Sequence, residues 1–165
     1  MILYAYRPGQ ASRYFTSAYG LYETGPTARV ALPKLFKLAE HEHATTRERA
    51  GMALAKLAPE APRTVAVLIR LISDPTPSVR DQAMHYLRQC DQKNAQAAVP
   101  ALIKSLDEDS YIIRNTAIST LGALAQPSPE VTKAITPLLQ DPKSREAATS
   151  ALAELRRREG AHISE

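Results

Sequence analysis

The chain has no tryptophan, one cysteine and six scattered glycines in 165 residues, and aromatic side chains make up 5% of it. A single thiol, Cys90, builds neither an internal disulfide framework nor a cysteine-based metal cage. It fits a reducing compartment, so a cytoplasmic location is expected. No apolar run reaches the roughly 18 residues that a membrane span requires. Met1 to Gln10 carries Tyr and Pro where a secretory leader needs a basic and then a long apolar stretch. The glycines form no phosphate-cradling loop, and no Ser-His-Asp order or paired-acid site emerges. What remains is 44% hydrophobic, drawn from Leu, Ile, Val and Ala, a palette suited to closely spaced helices.

Self-similarity is the strongest signal in the chain. Four segments carry Arg, then Ala three residues on, then Leu four further, then an apolar residue three further. They are Arg47, Ala50, Leu54, Leu57; Arg80, Ala83, Leu87, Cys90; Arg114, Ala117, Leu121, Leu124; and Arg145, Ala148, Leu152, Leu155. The arginines lie 33, 34 and 31 residues apart. Spacings of three and four place each set on one helical face. A second apolar pattern precedes each set: Val30 to Leu35, then Leu68, Ile69 and Ile72, then Ala98 to Leu102, then Ile135, Leu138 and Leu139. Pro33 and Pro100 suit a first helical turn, where the missing N–H has no partner to lose. Pro137 falls inside its helix and predicts a kink or a late start.

Breakers separate the two helices of each unit at Ser73 to Pro77, Asp107 to Ser110 and Asp141-Pro142. Others separate the units at Ala58-Pro59, Asp91 to Asn94 and Gln126 to Pro129. Helices are expected near 11–24, 28–40, 45–58, 63–73, 78–90, 95–106, 110–125, 130–140 and 143–158. The first is an unpaired half-unit at 11–25, and the repeats run over 28–59, 63–91, 95–126 and 129–158. Together they make one domain, 1–158, followed by a flexible tail at 159–165.

A helix pair, an Asp-rich turn and then Val-Arg-x-x-Ala-x-x-x-Leu resembles the HEAT repeat family, most of all the bacterial HEAT-like repeats of phycobilisome-lyase type. Val79 to Ala83 and Ile113 to Ala117 are good matches, and the resemblance covers roughly Thr27 to Arg158. It implies an all-α, right-handed α-α superhelix, a solenoid of about four helical hairpins plus an N-terminal half-repeat. The first unit departs with His41-Glu42-His43 where a turn aspartate is expected. The fourth departs with Ser144 before its arginine and a shorter turn.

In that family the repeat arginine bonds turn carboxylates of its own or a neighbouring unit. Asp74 before Arg80, Asp109 before Arg114, Asp141 before Arg145 and Glu42 before Arg47 are the candidates here. Arginine suits the role because its planar fork binds a carboxylate through two hydrogen bonds. The family's concave surface is lined by second helices. Candidate partner-binding residues on that face are Arg49, Met52, Lys56, Asp81, His85, Gln89, Asn115 and Ser119.

The net charge is +4, but that face carries acids at 48, 81, 146 and 154 against bases at 49 and 56. A phosphate-tracking groove needs clustered cations. The positive excess lies in Arg7, Arg13, Lys34, Lys37, Arg63, Arg70, Lys104, Lys133 and Arg156 to Arg158. These supply an alternative, nucleic-acid binding through first helices and the C-terminal cluster, although arginines at a helix C-terminus also complement its dipole.

The expected function is therefore a scaffold for a protein partner, without catalysis, metal or cofactor. A bilin-type lyase role is the third reading. Deoxyhypusine hydroxylases share the helical hairpins but use several His-Glu pairs, of which this chain has one, His41-Glu42. DNA-alkylation-repair glycosylases rely on a Trp-containing pocket. His85 reads as a surface histidine beside Asp81, and His162 carries no motif. Five tyrosines, at 4, 6, 14, 19 and 22, crowd the N-terminal end. They fit an end cap, or a docking surface for a second copy or for a longer array from which this chain is cut.

Leu121 sits in an interior unit of the expected stack. Leu121→Ala should cost about 2–5 kcal/mol and broaden or split the thermal transition. A melting curve unchanged within error would remove Leu121 from the core.

Overall fold

The computed structural model describes residues 29–162. The half-repeat at 11–25, the N-terminal tyrosines, Arg7, Arg13 and residues 163–165 lie outside the described residues. The described residues hold nine α-helices in order: α1 Leu32–Leu38, α2 Ala44–Leu57, α3 Pro62–Ile72, α4 Pro77–Leu87, α5 Gln92–Ala95, α6 Val99–Lys104, α7 Tyr111–Leu124, α8 Pro129–Ile135 and α9 Arg145–His162. No strand occurs among the described residues.

Helices α2, α4, α7 and α9 pack on one another in sequence, and each also packs on the first helix of its own unit. The result is two layers, with the apolar spine between them. The repeat columns fill it: Ala50, Ala83, Ala117 and Ala148 are buried, as are Leu54, Leu87, Leu121 and Leu152. Alanine admits close backbones and leucine fills the gaps, so spacing in the sequence becomes packing between units. No hairpin could hide these faces alone.

Local chemistry places the boundaries. Proline stands in the first turn of α1, α3, α4, α6 and α8, where its ring fits and its absent N–H costs nothing. Asp91 caps α5 by accepting from Asn94 N, and Ser128 caps α8 by accepting from Val131 N. The Asp91 to Asn94 stretch is therefore a cap and a first helical turn, where the sequence suggested only a linker. That helix starts at Gln92 and reaches Lys104 through a 3-10 turn at Gln96–Ala98. Pro137 acts as expected: α geometry stops at Ile135 and the chain continues as a 3-10 helix, Thr136–Gln140.

Helix α9 continues four residues past Arg158, through Gly160, to His162, into the stretch expected as a tail. Glu154 supports its end, pairing with Arg157 and Arg158 at helical spacings. Arg158 also donates to the carbonyls of Gly122 and Ala125, satisfying oxygens left over at the end of α7.

The last unit differs from the others on one face. Gly51 packs against Leu68, Leu71 and Tyr86 of the following unit. Met84 and Ile118 are buried at the equivalent places, but in the fourth unit Thr149 is exposed. Likewise Val65 and Ile69, then Val99 and Ile103, are buried or half-buried, while Thr132 and Thr136 are exposed. Hydroxyls replace hydrocarbon where no further hairpin follows among the described residues.

Helices α7 and α9 meet most closely at Gly122, where an added Cβ would lie 2.8 Å from both Cα and Cβ of Ala151. Gly122→Ala should destabilise by about 1–3 kcal/mol, read as a lowered urea midpoint. Gly51→Ala should cost less, since the atom 2.9 Å away is the end of the Leu71 side chain, which can turn aside. Equal midpoints for wild type and Gly122→Ala would contradict this approach.

Candidate functional site

The repeat arginines form a ladder along the turns. Arg47 donates through Nε and Nη2 to the two oxygens of Asp74 at 2.6 and 2.7 Å. Its Nη1 reaches the carbonyls of His41 and Glu42 at 2.8 and 2.7 Å. Arg80 repeats this one unit on, donating to Glu108 Oε2 at 2.9 Å and to the carbonyls of Asp74 and Pro75. Arg114 donates to Asp141 Oδ2 at 2.6 Å, to Ser144 Oγ at 3.0 Å and to the Glu108 carbonyl at 2.6 Å. Each of these arginines takes backbone oxygens from its own turn and a carboxylate from the next.

One sequence expectation is corrected, and the choice between own and neighbouring unit is resolved. The carboxylate of the third unit is Glu108 and not Asp109, which is exposed. Both Asp74 and Glu108 stand six residues before their own unit's arginine, and Asp109 stands five before. The carboxylate also serves the preceding arginine: Asp141 binds Arg114, while Arg145 holds only the Leu139 carbonyl at 2.9 Å among the described residues. Glu42 likewise offers Arg47 its backbone oxygen. Ser144 now has a structural reason, since it is fully buried and accepts from Arg114.

The carboxylates also shape the turns. Asp74 accepts from Thr76 N at 2.9 Å and Asp141 from Lys143 N at 3.1 Å. In the first unit the imidazole of His41 does the same, with Nδ1 3.1 Å from His43 N. His41 and His43 face each other at 5.0 Å between ring centroids. Among the described residues no group of three His, Cys, Asp or Glu side chains is placed to hold a metal ion.

Burial works against the charge on Asp74, but the hydrogen bonds from Arg47 and the Thr76 amide outweigh it and hold the carboxyl below its ordinary value. Asp141 is lowered by the Lys143 amide, then by Ser144 and Arg114. The Cys90 thiol is pushed up to about 11 by burial and by Asp91. It is a core atom, with none of the thiolate character that reactivity needs.

Seven of the candidate partner-binding residues lie on second helices, and Gln89 lies in the turn just after α4. Arg49, His85, Gln89 and Ser119 are exposed, and Met52, Lys56, Asp81 and Asn115 are half-buried. Two of them hold the stack together as well. Asp81 accepts from Thr116 Oγ1 at 2.7 Å, and its other oxygen lies 3.7 Å from His85 Nε2. The carboxylate stands between the Thr116 hydroxyl and the His85 imidazole. Asn115 Nδ2 donates to the Lys143 carbonyl at 2.8 Å.

Several cations proposed for phosphate already have intramolecular roles. Arg70 pairs with Glu40 at 2.6 Å and Arg157 with Glu154 at 2.8 Å. Arg63 stacks 4.2 Å from the Phe36 ring centroid, and Arg158 caps α7.

The Arg47 and Asp74 side chains are only 13% and 4% exposed, so this rung is the least screened. Removing one member of a buried pair strands the other, and Arg47→Ala should cost about 3–5 kcal/mol. Because the folded-state pKa of Asp74 is depressed, the rung contributes fully above pH ~4 and is lost as pH falls through the folded value. Denaturant titrations between pH 2 and 6 should therefore show a shallower acid-side decline in Arg47→Ala than in wild type. Superimposable declines would disprove the coupling.

A family profile of HEAT repeats matches residues 32–111 and 74–156. No curated protein matches the chain. Among solved structures it resembles the complex of CpcE and CpcF of phycocyanin lyase from Nostoc sp. PCC7120, with 21% identity, a TM-score of 0.66, and coverage of 82% of this chain and 86% of that one. Human deoxyhypusine hydroxylase gives 23% identity and a TM-score of 0.62 over 76% of this chain, which spans 43% of the hydroxylase. An engineered protein gives 21% identity and a TM-score of 0.59, covering 87% of this chain and 73% of its own. With the profile matching most of its length, the chain belongs to the HEAT repeat family, and its described residues form an all-α, right-handed α-α superhelix.

Proposed function

We propose that this chain is a non-catalytic scaffold that binds a protein partner along its second-helix face. The observation that carries the reading is the layer made by α2, α4, α7 and α9. Four helices held in fixed register by a buried spine and the arginine ladder present their outer side chains as a regular grid. Arg49, Met52 and Lys56 lie on the first helix, Asp81 and His85 on the second with Gln89 in the turn that follows it, and Asn115 and Ser119 on the third. A preorganised surface lets binding energy go into contacts and not into ordering the site.

The Nostoc protein is part of a two-protein complex, which is consistent with a protein as the partner here. Identity of 21% carries its fold and not its lyase chemistry. No helix among the described residues is long and apolar enough to cross a membrane.

The first-unit end of the grid is basic through Arg49 and Lys56. Reversing both to Glu should weaken an acidic partner by about tenfold without unfolding the stack, as read by circular dichroism. The comparison is quantitative capture of native partners by wild type and by the double variant. Identical recoveries would exclude this face.

A further inference from the structure

Among the described residues, Val30, Tyr111 and Ile112 are the exposed large hydrophobics. Tyr111 and Ile112 are adjacent, 44% and 57% exposed, in the first turn of α7. The repeat shows how unusual the pair is. Equivalent positions hold Ala44-Thr45, Pro77-Ser78 and Pro142-Lys143, so the fold itself asks for no large apolar side chain here. Ile112 lies one helical turn before Thr116 and two before Ser119, which puts it on the grid already described.

Charge around the pair is equally particular. The residue after each repeat arginine is Glu48, Asp81, Asn115 or Glu146, so the third unit alone breaks a row of carboxylates. The nearest cation is built in: Lys143 Nζ lies 5.2 Å from the Tyr111 ring centroid. Asn115 fixes the backbone of Lys143 through its carbonyl. Asp109, though close in sequence, lines a cavity of about 520 Å³ beside Arg80 and Lys104.

We propose that Tyr111, Ile112 and Lys143 anchor a segment of a partner protein in which an aliphatic or aromatic side chain is followed within a residue or two by a carboxylate. The apolar side chain covers Ile112 and the Tyr111 ring, and the carboxylate meets the Lys143 ammonium. Tyrosine is well suited to such an anchor, offering a large contact area with few rotors to freeze. The proposal rests on the scaffold reading and narrows it to one place and one partner chemistry.

The test is selection of random dodecapeptides displayed on phage, on wild type and then against the Y111S/I112S variant. Both residues are exposed, and an unchanged melting temperature confirms that the variant folds. The expected result is a wild-type-specific pool pairing apolar residues with Asp or Glu. Synthetic members of that pool should bind Y111S/I112S at least about tenfold more weakly and K143E several-fold more weakly. A pool without acidic enrichment, or one that binds Y111S/I112S equally, overturns the proposal. So does concentration-dependent dimerisation that Y111S/I112S abolishes, since the pair would then seat a second copy. Peptides that ignore Y111S/I112S but are lost on reversing Arg49 and Lys56 would sink this anchor and leave the scaffold standing; a pool insensitive to both changes would remove the face as well.

Discussion

Mutual burial is the constraint under which every other feature of this chain operates. Each hairpin has an apolar side that only its neighbours can cover, so the alanine and leucine columns must be repeated at a fixed period or the stack opens. That requirement explains why small residues recur at 50, 83, 117 and 148 and why α7 and α9 touch through glycine. Apolar contact is non-directional. It sets how tightly the units approach, but it does not choose the register in which they stack.

Register comes from the polar edge. Arg47, Arg80 and Arg114 each grip two consecutive turns at once, so sliding one hairpin against the next breaks several charge-assisted bonds together. On the opposite edge, Asn94 donates to the Glu60 carbonyl, and Gln96 accepts from the Gln126 amide. With both edges tied, the outer faces of the second helices become a surface of defined spacing, which is what a scaffold contributes to recognition.

The period and the columns were legible because packing restricts residue type: a buried position between close helices accepts alanine or leucine and little else. The ladder was legible only in part. Asp107, Glu108 and Asp109 are three acids in a row, and the signal that separates them is the spacing of six before the arginine, which Glu108 shares with Asp74. Nothing in spacing tells whether a carboxylate serves its own arginine or the preceding one. Ser144 looked like a departure from the pattern because its buried role depends on a side chain 30 positions earlier. The exposure of Tyr111 and Ile112 has no signature in the sequence, since apolar identity alone does not distinguish core from surface.

The forward reach of the arginines also gives the stack a direction. Opening the fourth hairpin releases Asp141 and Ser144 from Arg114 but leaves the Arg47–Asp74 and Arg80–Glu108 rungs whole. Loss of structure can thus travel one rung at a time from that end, in place of the single cooperative collapse of a domain with one enclosed centre. A molecule built this way has graded local stability along its axis, and its loosest portion is set by where the chain of handholds stops.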